Sequence, residues 1–498
     1  MKRIVIAILF ACPLLVFGQS EQDVYRYSHT QFGGTARYNS VAGAFGAVGA
    51  DFSVLSTNPA GMGRFRESDF SFTPTLNLSS TTSIHNGSSA TASKENFNLN
   101  NLGVVFVSKA HPESPSLWRA VQFGFGYNKL ANFHEHTLIS SLDTTSFSMV
   151  LADQAYGATT EELDNYQVSP FMASPAWWAW LIDPLNGQGG KDVYTTQMYV
   201  DSIQQDHEYI NKGSLGEWSF ALSGNYNDKL YIGGSVNFQR FSFEQEKIQS
   251  ETSLIDTTSL ISFSYTENLK TIGKGVNLKL GMIYLPTQWL RLGISYHSPT
   301  VYYTMRDSWY TNVSTFWRTT DTYRTDTYYS VDSPDGRFTY KMRTPGRITG
   351  SVAFVVKRKG LISADVEFVD YTTGLLKSHP GSGDSYSFEL ENTAVKDNFN
   401  QAINIRLGGE YRITNLWMVR AGAAYYQNGY NPSVVTSTNP MMTYAGGIGY
   451  RAKDFYVDVA YTYTKQVSDY YKYDPLITSA AQLTKVSSNI MATVGFKF

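Results

Sequence analysis

Cysteine is almost missing from this chain: Cys12 is the only one, and it lies in an N-terminal apolar stretch. Once that stretch is removed no thiol remains, which excludes a disulfide scaffold, a cysteine nucleophile and cysteine metal sites. Charge is sparse as well, at 16% of residues. Without Lys2 and Arg3, 38 basic side chains face 42 acidic ones, a formal net charge of −4 that exerts no long-range pull on nucleic acid. The eight histidines offer little for catalysis. His134-Glu-His136 sets two imidazoles on one strand face, but without an identifiable third ligand the pair reads as a water-bonded rim feature, not a metal site. No Gly-x-Ser-x-Gly elbow occurs, and Gly187-Gln-Gly-Gly-Lys191 lacks the spacing and hydroxyl of a phosphate-binding loop. The chain therefore reads as a non-enzyme with no cofactor. No later stretch approaches 18 consecutive apolar residues, so helical membrane spans are excluded too.

The apolar N-terminus fits export. Lys2-Arg3 is followed by the apolar run Ile4–Phe17, with a cut expected near Gln19, so residues 1–18 read as a Sec-type signal peptide too short to span a bilayer. A lipoprotein cleavage before Cys12 fits poorly, because Phe10 and a short preceding apolar core both depart from that pattern.

What the chain has in quantity is aromatics and glycine: 15% aromatic residues, 35 Tyr and 40 Gly. Tyr and Trp girdles at the membrane interfaces of a β-barrel would account for this mix at so low a charge. The last residues support that reading. Ile490, Ala492, Val494, Phe496 and Phe498 share one strand face, while Asn489, Met491, Thr493, Gly495 and Lys497 share the other.

From Asp69 onward the same two-residue period recurs in about fourteen segments, beginning with Phe70/Phe72/Leu76/Leu78. Clear later examples are Leu230/Ile232/Val236/Phe238 and Ile403/Ile405/Leu407/Tyr411. Short turns alternate with long polar connections at 79–97, 142–214, 247–260, 305–336, 372–399, 427–441 and 464–487. Sorting of loops by side is expected of an outer-membrane barrel with short periplasmic turns and long external loops, and a soluble sandwich has no reason for it. Opposite the apolar faces lie Asn277, Lys279, Asp365, Glu367, Asn404, Arg406, Arg420 and Asp458. Such groups are tolerable lining a polar lumen, where opposite signs pair across strands. The fold class expected is all-β, a transmembrane antiparallel barrel over residues 68–498 with 142–214 as its long extracellular loop. Residues 19–67, rich in Gly and Ala around Ala42–Ala50, are expected to form a compact, partly helical plug.

The order of Gly33-Gly-Thr-Ala36, the Ala42–Asp51 run, Asn58-Pro59-Ala60-Gly61, Ser363–Tyr371 and Ile405–Arg412 resembles the FadL/TodX family of outer-membrane transporters. The likeness covers essentially the whole mature chain, though no single motif is diagnostic. It implies a fourteen-stranded barrel, a hatch carrying Asn58, Pro59 and Ala60, and passive uptake of hydrophobic compounds such as long-chain fatty acids or aromatic hydrocarbons. Pro59 fixes its φ and biases Asn58 away from helix, so the motif forms a rigid turn that either gates or merely ends the plug.

The family also has a kinked third strand that opens the wall sideways. The corresponding stretch holds Gly124, Gly126 and Asn128, where the glycines either weaken the ladder or make room for the hatch. Trp177, Trp178 and Trp180 in the long loop depart from the family pattern. They form either a landing patch for greasy solutes or a short helix packed on the rim. The partners expected are a hydrophobic ligand, outer-membrane lipid and, through Phe498, the barrel-assembly machinery, for a barrel that is monomeric. An adhesin or structural barrel that works through its external loops is the alternative, with the Tyr/Thr-rich segment 302–331 in its favour. A barrel lipase or protease would need a nucleophile–base pair near the rim.

Overall fold

A computed structural model of the chain describes residues 20–498, apart from 32, 186–192, 199–201, 256–258, 319–325, 358, 381–385 and 435–438. The expected leader, residues 1–18, lies outside the described residues.

Fourteen antiparallel strands run around a closed wall. They are β1 Asp69–His85, β2 Ser88–Lys109, β3 Trp118–Asn132, β4 Ile203–Tyr226, β5 Leu230–Ser253 and β6 Leu260–Tyr284. Next come β7 Leu290–His297, extended by Val301–Trp317, and β8 Arg347–Val356, preceded by Gly336–Arg343. The rest are β9 Gly360–Asp370, β10 Gln401–Arg412, β11 Trp417–Tyr426, β12 Met441–Arg451, β13 Phe455–Tyr470 and β14 Ala481–Lys497. Closure is made where β14 meets β1, with Phe70 opposite Phe496 and Phe72 opposite Val494.

Alternation sets which side faces out. On β5 the side chains of Ile232, Val236 and Phe238 are exposed, while Ser235, Asn237 and Gln239 between them are buried. A soluble sheet would invert this. Every inward charge named from the sequence, from Lys279 to Asp458, is likewise buried in the lumen. Aromatic pairs mark the end with the short turns: Trp118 meets Tyr226 edge-on at 5.4 Å, Trp417 meets Tyr450 at 5.1 Å, and Trp289 stacks on Phe354 at 6.2 Å. This is the interfacial girdle of a membrane barrel.

The long polar connections differ from expectation. Segment 79–97 is almost wholly strand, closed by a tight turn at Asn86-Gly87 with φ of +46° and +79°. Those two positive angles suit the hairpin turn for which Asn-Gly is the preferred pair. Likewise β4, β5 and β6 run for 24, 24 and 25 residues, where a tilted span needs only about 9–11. Their outer halves swap apolar residues for Ser, Thr, Gln and Glu yet keep pairing, so the barrel stands well above its apolar band. Polarity marks the end of the membrane, not the end of the strand.

Within 142–214, residues 203–214 belong to β4, Leu142 and Asp143 end the strand from Glu135, and the other described residues fold into a cap. Helices Phe147–Asp153, Thr160–Asp164 and Ala173–Trp178 join a ribbon of Ile182–Pro184 with Tyr194–Thr196. Leu151, Leu163, Ala176 and Leu181 form its core and pack on Phe263, Tyr265 and Val313 of the wall. Glu251, fully buried, ties cap to barrel by accepting from the Ser146 hydroxyl and the Phe147 N–H.

Candidate functional site

Residues 20–31 and 33–65 fill the lumen. Helix α1, Glu21–Ser28, begins with a capping box at Ser20 and Asp23 and packs Val24 and Tyr27 into an apolar cluster. The cluster also holds Leu130, Leu215, Phe241, Phe243, Tyr302, Met305, Tyr340, Met342, Tyr371 and Phe399. Tyr27 lies 4.3 Å from Phe241, and Tyr25 stacks on Phe399 at 5.2 Å. The Arg347 guanidinium donates to the Ser28 carbonyl at the helix end. His29, just beyond, is held neutral: burial, with Arg347 adding to it, lowers its pKa to about 4 against the raising field of Glu367. Beside this segment a small polar cavity is lined by Gln239, Asn277, Lys279, His297 and Arg347.

The Asn58-Pro59-Ala60 motif sits deeper, at the start of the 3-10 helix Pro59–Arg64. Asn58 is buried. Its amide donates to the Gly46 carbonyl at 2.7 Å, and its oxygen caps the Ala60 N–H at 3.2 Å. Strands β6 and β7 clamp the residues just before it: the Lys279 ammonium donates to the Ser56 carbonyl at 3.0 Å, and His297 Nε2 donates to the Thr57 carbonyl at 2.6 Å. Lys279 is itself paired with buried Glu217. On the other side, Asp365 accepts from the Phe45 and Gly46 N–H groups at 3.1 and 3.0 Å. Gly281 and Gly233 complete the seat, because β-carbons there would overlap the Asn58 side chain and the Pro59 carbonyl.

Charges bind hatch and wall into one network. Arg37 pairs with Glu410 at 3.1 Å, Glu410 also pairs with Arg420 at 2.7 Å, and Arg420 reaches Asp458 at 2.7 Å. Glu367 holds Arg347 and Arg406. Breaking one partner of such a buried pair strands the other, at a cost of about 3–5 kcal/mol. The alternation showed that these side chains face inward. Their hatch partners were not legible, because Phe45 and Asp365 are 320 residues apart in sequence.

The wall has a seam between β2 and β3. Pairing of β2 with β3 runs from Lys109↔Ala120 to Asn101↔Asn128, and no ladder pair between them extends further among the described residues. Beyond this point β2 pairs only with β1, and β3 bulges against β4 between Lys129 and Ala131. The chain then passes Phe133-His134 and continues as Glu135–Asp143, still paired with β4 from Asn211 to Ile203, while the Ser79 and Ser83 hydroxyls of β1 donate to its His134 and Leu138 carbonyls. The hatch covers the free edge of β3: the Gln31 and Gly33 N–H groups donate to the Leu130 and Lys129 carbonyls at 2.9 and 2.8 Å.

Of the residues singled out for a kink, Gly124 and Gly126 lie in unbroken ladder on both sides. Their missing β-carbons leave room for Leu55, Met62 and Phe52 of the hatch. Asn128 marks the last paired position, accepting from Asn101 at 3.0 Å and donating to the Ser56 hydroxyl at 2.9 Å. The break therefore starts at Asn128 and not at the glycines, because the bulge and the hatch bonds to Lys129 and Leu130 displace the ladder there.

In the cap, Trp177 is partly buried and donates to Asp164 Oδ1 at 2.7 Å, and Trp178 donates to the Asp164 carbonyl at 3.3 Å. Trp178 and Trp180 remain 47% and 53% exposed. His134 and His136 are engaged separately, with Asn96 and Glu208.

A closed, greasy-walled cylinder stoppered by its own N-terminal segment defines a plugged outer-membrane barrel. The sequence profile of the outer membrane protein transport protein family (OMPP1/FadL/TodX) matches residues 194–494, and the chain belongs to that family. Its place is therefore the bacterial outer membrane. Solved structures agree in fold. A Pseudomonas aeruginosa FadL homologue superposes with a TM-score of 0.56 at 13% identity, over 94% of this chain and 98% of that one. The Ralstonia pickettii toluene transporter TbuX gives 0.51 at 14% over 94% and 98%, and the P. putida toluene transporter TodX gives 0.50 at 13% over 94% and 99%. A search of curated proteins returned no sequence match.

Proposed function

We propose that this barrel admits hydrophobic small molecules, such as long-chain fatty acids or hydrocarbons, past helix α1 and releases them sideways through the seam between β2 and β3. The observation that carries the reading is the seam itself, where the β2–β3 ladder stops at Asn101↔Asn128, side chains such as Lys129 on Asn98 and His134 on Asn96 replace ladder bonds, and the hatch backbone at Gln31 and Gly33 takes up the freed β3 carbonyls. The apolar cluster around α1 supplies the affinity once the helix moves away. Tyr25, Val24 and Tyr27 occupy it in the manner of a ligand, so a solute must displace α1 to enter. Movement into lipid then lowers the free energy of an alkyl chain by about 0.8 kcal/mol per methylene. In this reading the Asn58-Pro59-Ala60 turn anchors the hatch while the segment before it moves. Trp178 and Trp180 are the landing patch on the cap.

The test is uptake of a radiolabelled fatty acid by cells carrying the full chain or a chain lacking Ser20–Gln31, matched for folded barrel in the membrane. Altered uptake is the expected result. Equal rates would sink the gate. A second reading, a barrel acting through its exterior, draws on the separately cored cap; deleting 144–201 without effect on uptake would favour it.

A further inference from the structure

At the end of the hatch nearest the short turns, two guanidinium groups lie close enough to repel, and neither is in an ion pair among the described residues. Arg64 closes the 3-10 helix and its guanidinium lies over the Tyr231 ring, 5.4 Å from the centroid. Arg291 comes from the start of β7 and donates through Nη1 to the Val48 carbonyl at 3.3 Å. The Arg64 stem packs against Gly49, where a β-carbon would lie 2.6 Å from its Cδ. The two cations therefore flank the consecutive residues Val48 and Gly49. Arg64 Nε and Nη1 and Arg291 Nε are shut off from solvent and have no hydrogen-bond partner among the described residues.

The nearby acids are committed elsewhere. Glu410 is held by Arg37 and Arg420, and Asp228 by Arg66. Burial, with Arg291 next, depresses Arg64 to about 9, a second sign that like charges crowd there. Unpaired buried donors cost about 1–3 kcal/mol each, more when charged, and arginine forks match carboxylate and phosphate geometry.

We infer that Arg64 and Arg291 form an oxyanion site at the periplasmic end of the hatch, taking a carboxylate or phosphate group between the two forks. This goes beyond transport of hydrophobic solutes as such, and it would distinguish acidic amphiphiles from neutral ones. The group has two chemical sources, the head of an acidic amphiphile or a free periplasmic anion.

The experiment is equilibrium binding to the full-length protein in neutral detergent, using dodecanoate, dodecanol and inorganic phosphate at matched ionic strength. Arg64→Met, Arg291→Met and Arg291→Lys are compared with the parent. Heat-modifiable migration of each variant establishes that its barrel is folded. We expect dodecanoate binding to weaken about tenfold or more in either Met variant, in line with loss of a charged hydrogen bond. Arg291→Lys should recover part of it, and dodecanol binding should not change. Phosphate binding that is lost in the same variants assigns the site to free anions as well; dodecanoate alone assigns it to amphiphile heads. Equal dodecanoate and phosphate affinities in parent and Met variants would overturn the site, while retained dodecanol binding would leave the transport reading standing.

Discussion

At Gly281 the Asn58 carboxamide occupies the space that a β-carbon would fill. A side chain there must push the hatch turn off its seat. Gly281→Val is therefore expected to leave the barrel folded but raise its single-channel conductance in planar bilayers. Parental conductance would show that the turn yields without opening. His29 supplies a pH handle on the other half of the hatch. Burial keeps its folded pKa near 4, below the ordinary value of about 6.5. As pH falls from about 6.5 towards 4, the released segment binds a proton that the docked one rejects. Docking is thus complete above this window and weakens through it. Protease cleavage within residues 20–31 should be faster at pH 4.5 than at 7.5, and His29→Phe should flatten the difference. A flat profile in the parent would remove His29 as the cause.

Among the elements, β3 is the one that parts from its neighbour β2 while its continuation stays paired with β4, and the residue opposite the bend is Gly213 of β4. Its φ is +113°, its carbonyl accepts the Phe133 N–H at 3.0 Å, and a β-carbon would run into the Ser242 carbonyl. Gly213→Ala should cost about 1–3 kcal/mol through backbone strain, read as an earlier midpoint in guanidinium unfolding of the detergent-solubilised protein. An unshifted midpoint would show that β3 bends without this support. Strand identity was legible from alternation alone, since Ile232, Val236 and Phe238 face lipid as read. Strand length was not: Ser, Thr and Asn after Leu78 resembled loop, although Asn86-Gly87 was a readable sign of a two-residue hairpin turn. For Gly124, Gly126 and Asn128 the sequence leaves two readings open, a weakened ladder or room for the hatch. The glycines answer to Phe52, Leu55 and Met62, partners that no local pattern names, and the ladder ends at Asn128.

For the whole molecule, the apolar outer surface dictates how the protein must be handled, and we propose that the exposed aromatic Phe498 serves its insertion. Phe498 is 66% exposed, its N–H bonded to the Ser68 carbonyl at 3.0 Å across the closure. We expect removal of Phe498 to reduce insertion in cells several-fold, measured as folded barrel in outer-membrane fractions, while refolding from urea into detergent micelles proceeds as before. Equal insertion would argue against recognition of this terminus by the assembly machinery.

The overshoot of β4, β5 and β6 also fixes where a solute is first met. On β5 the last strongly exposed apolar side chain is Phe238, yet the strand continues to Ser253. With a rise of about 3.4 Å per residue and the usual tilt, that turret lifts its opening roughly 35–40 Å clear of the bilayer. On the uptake route proposed above, a greasy molecule sheds its water high over the lipid, among protein side chains alone.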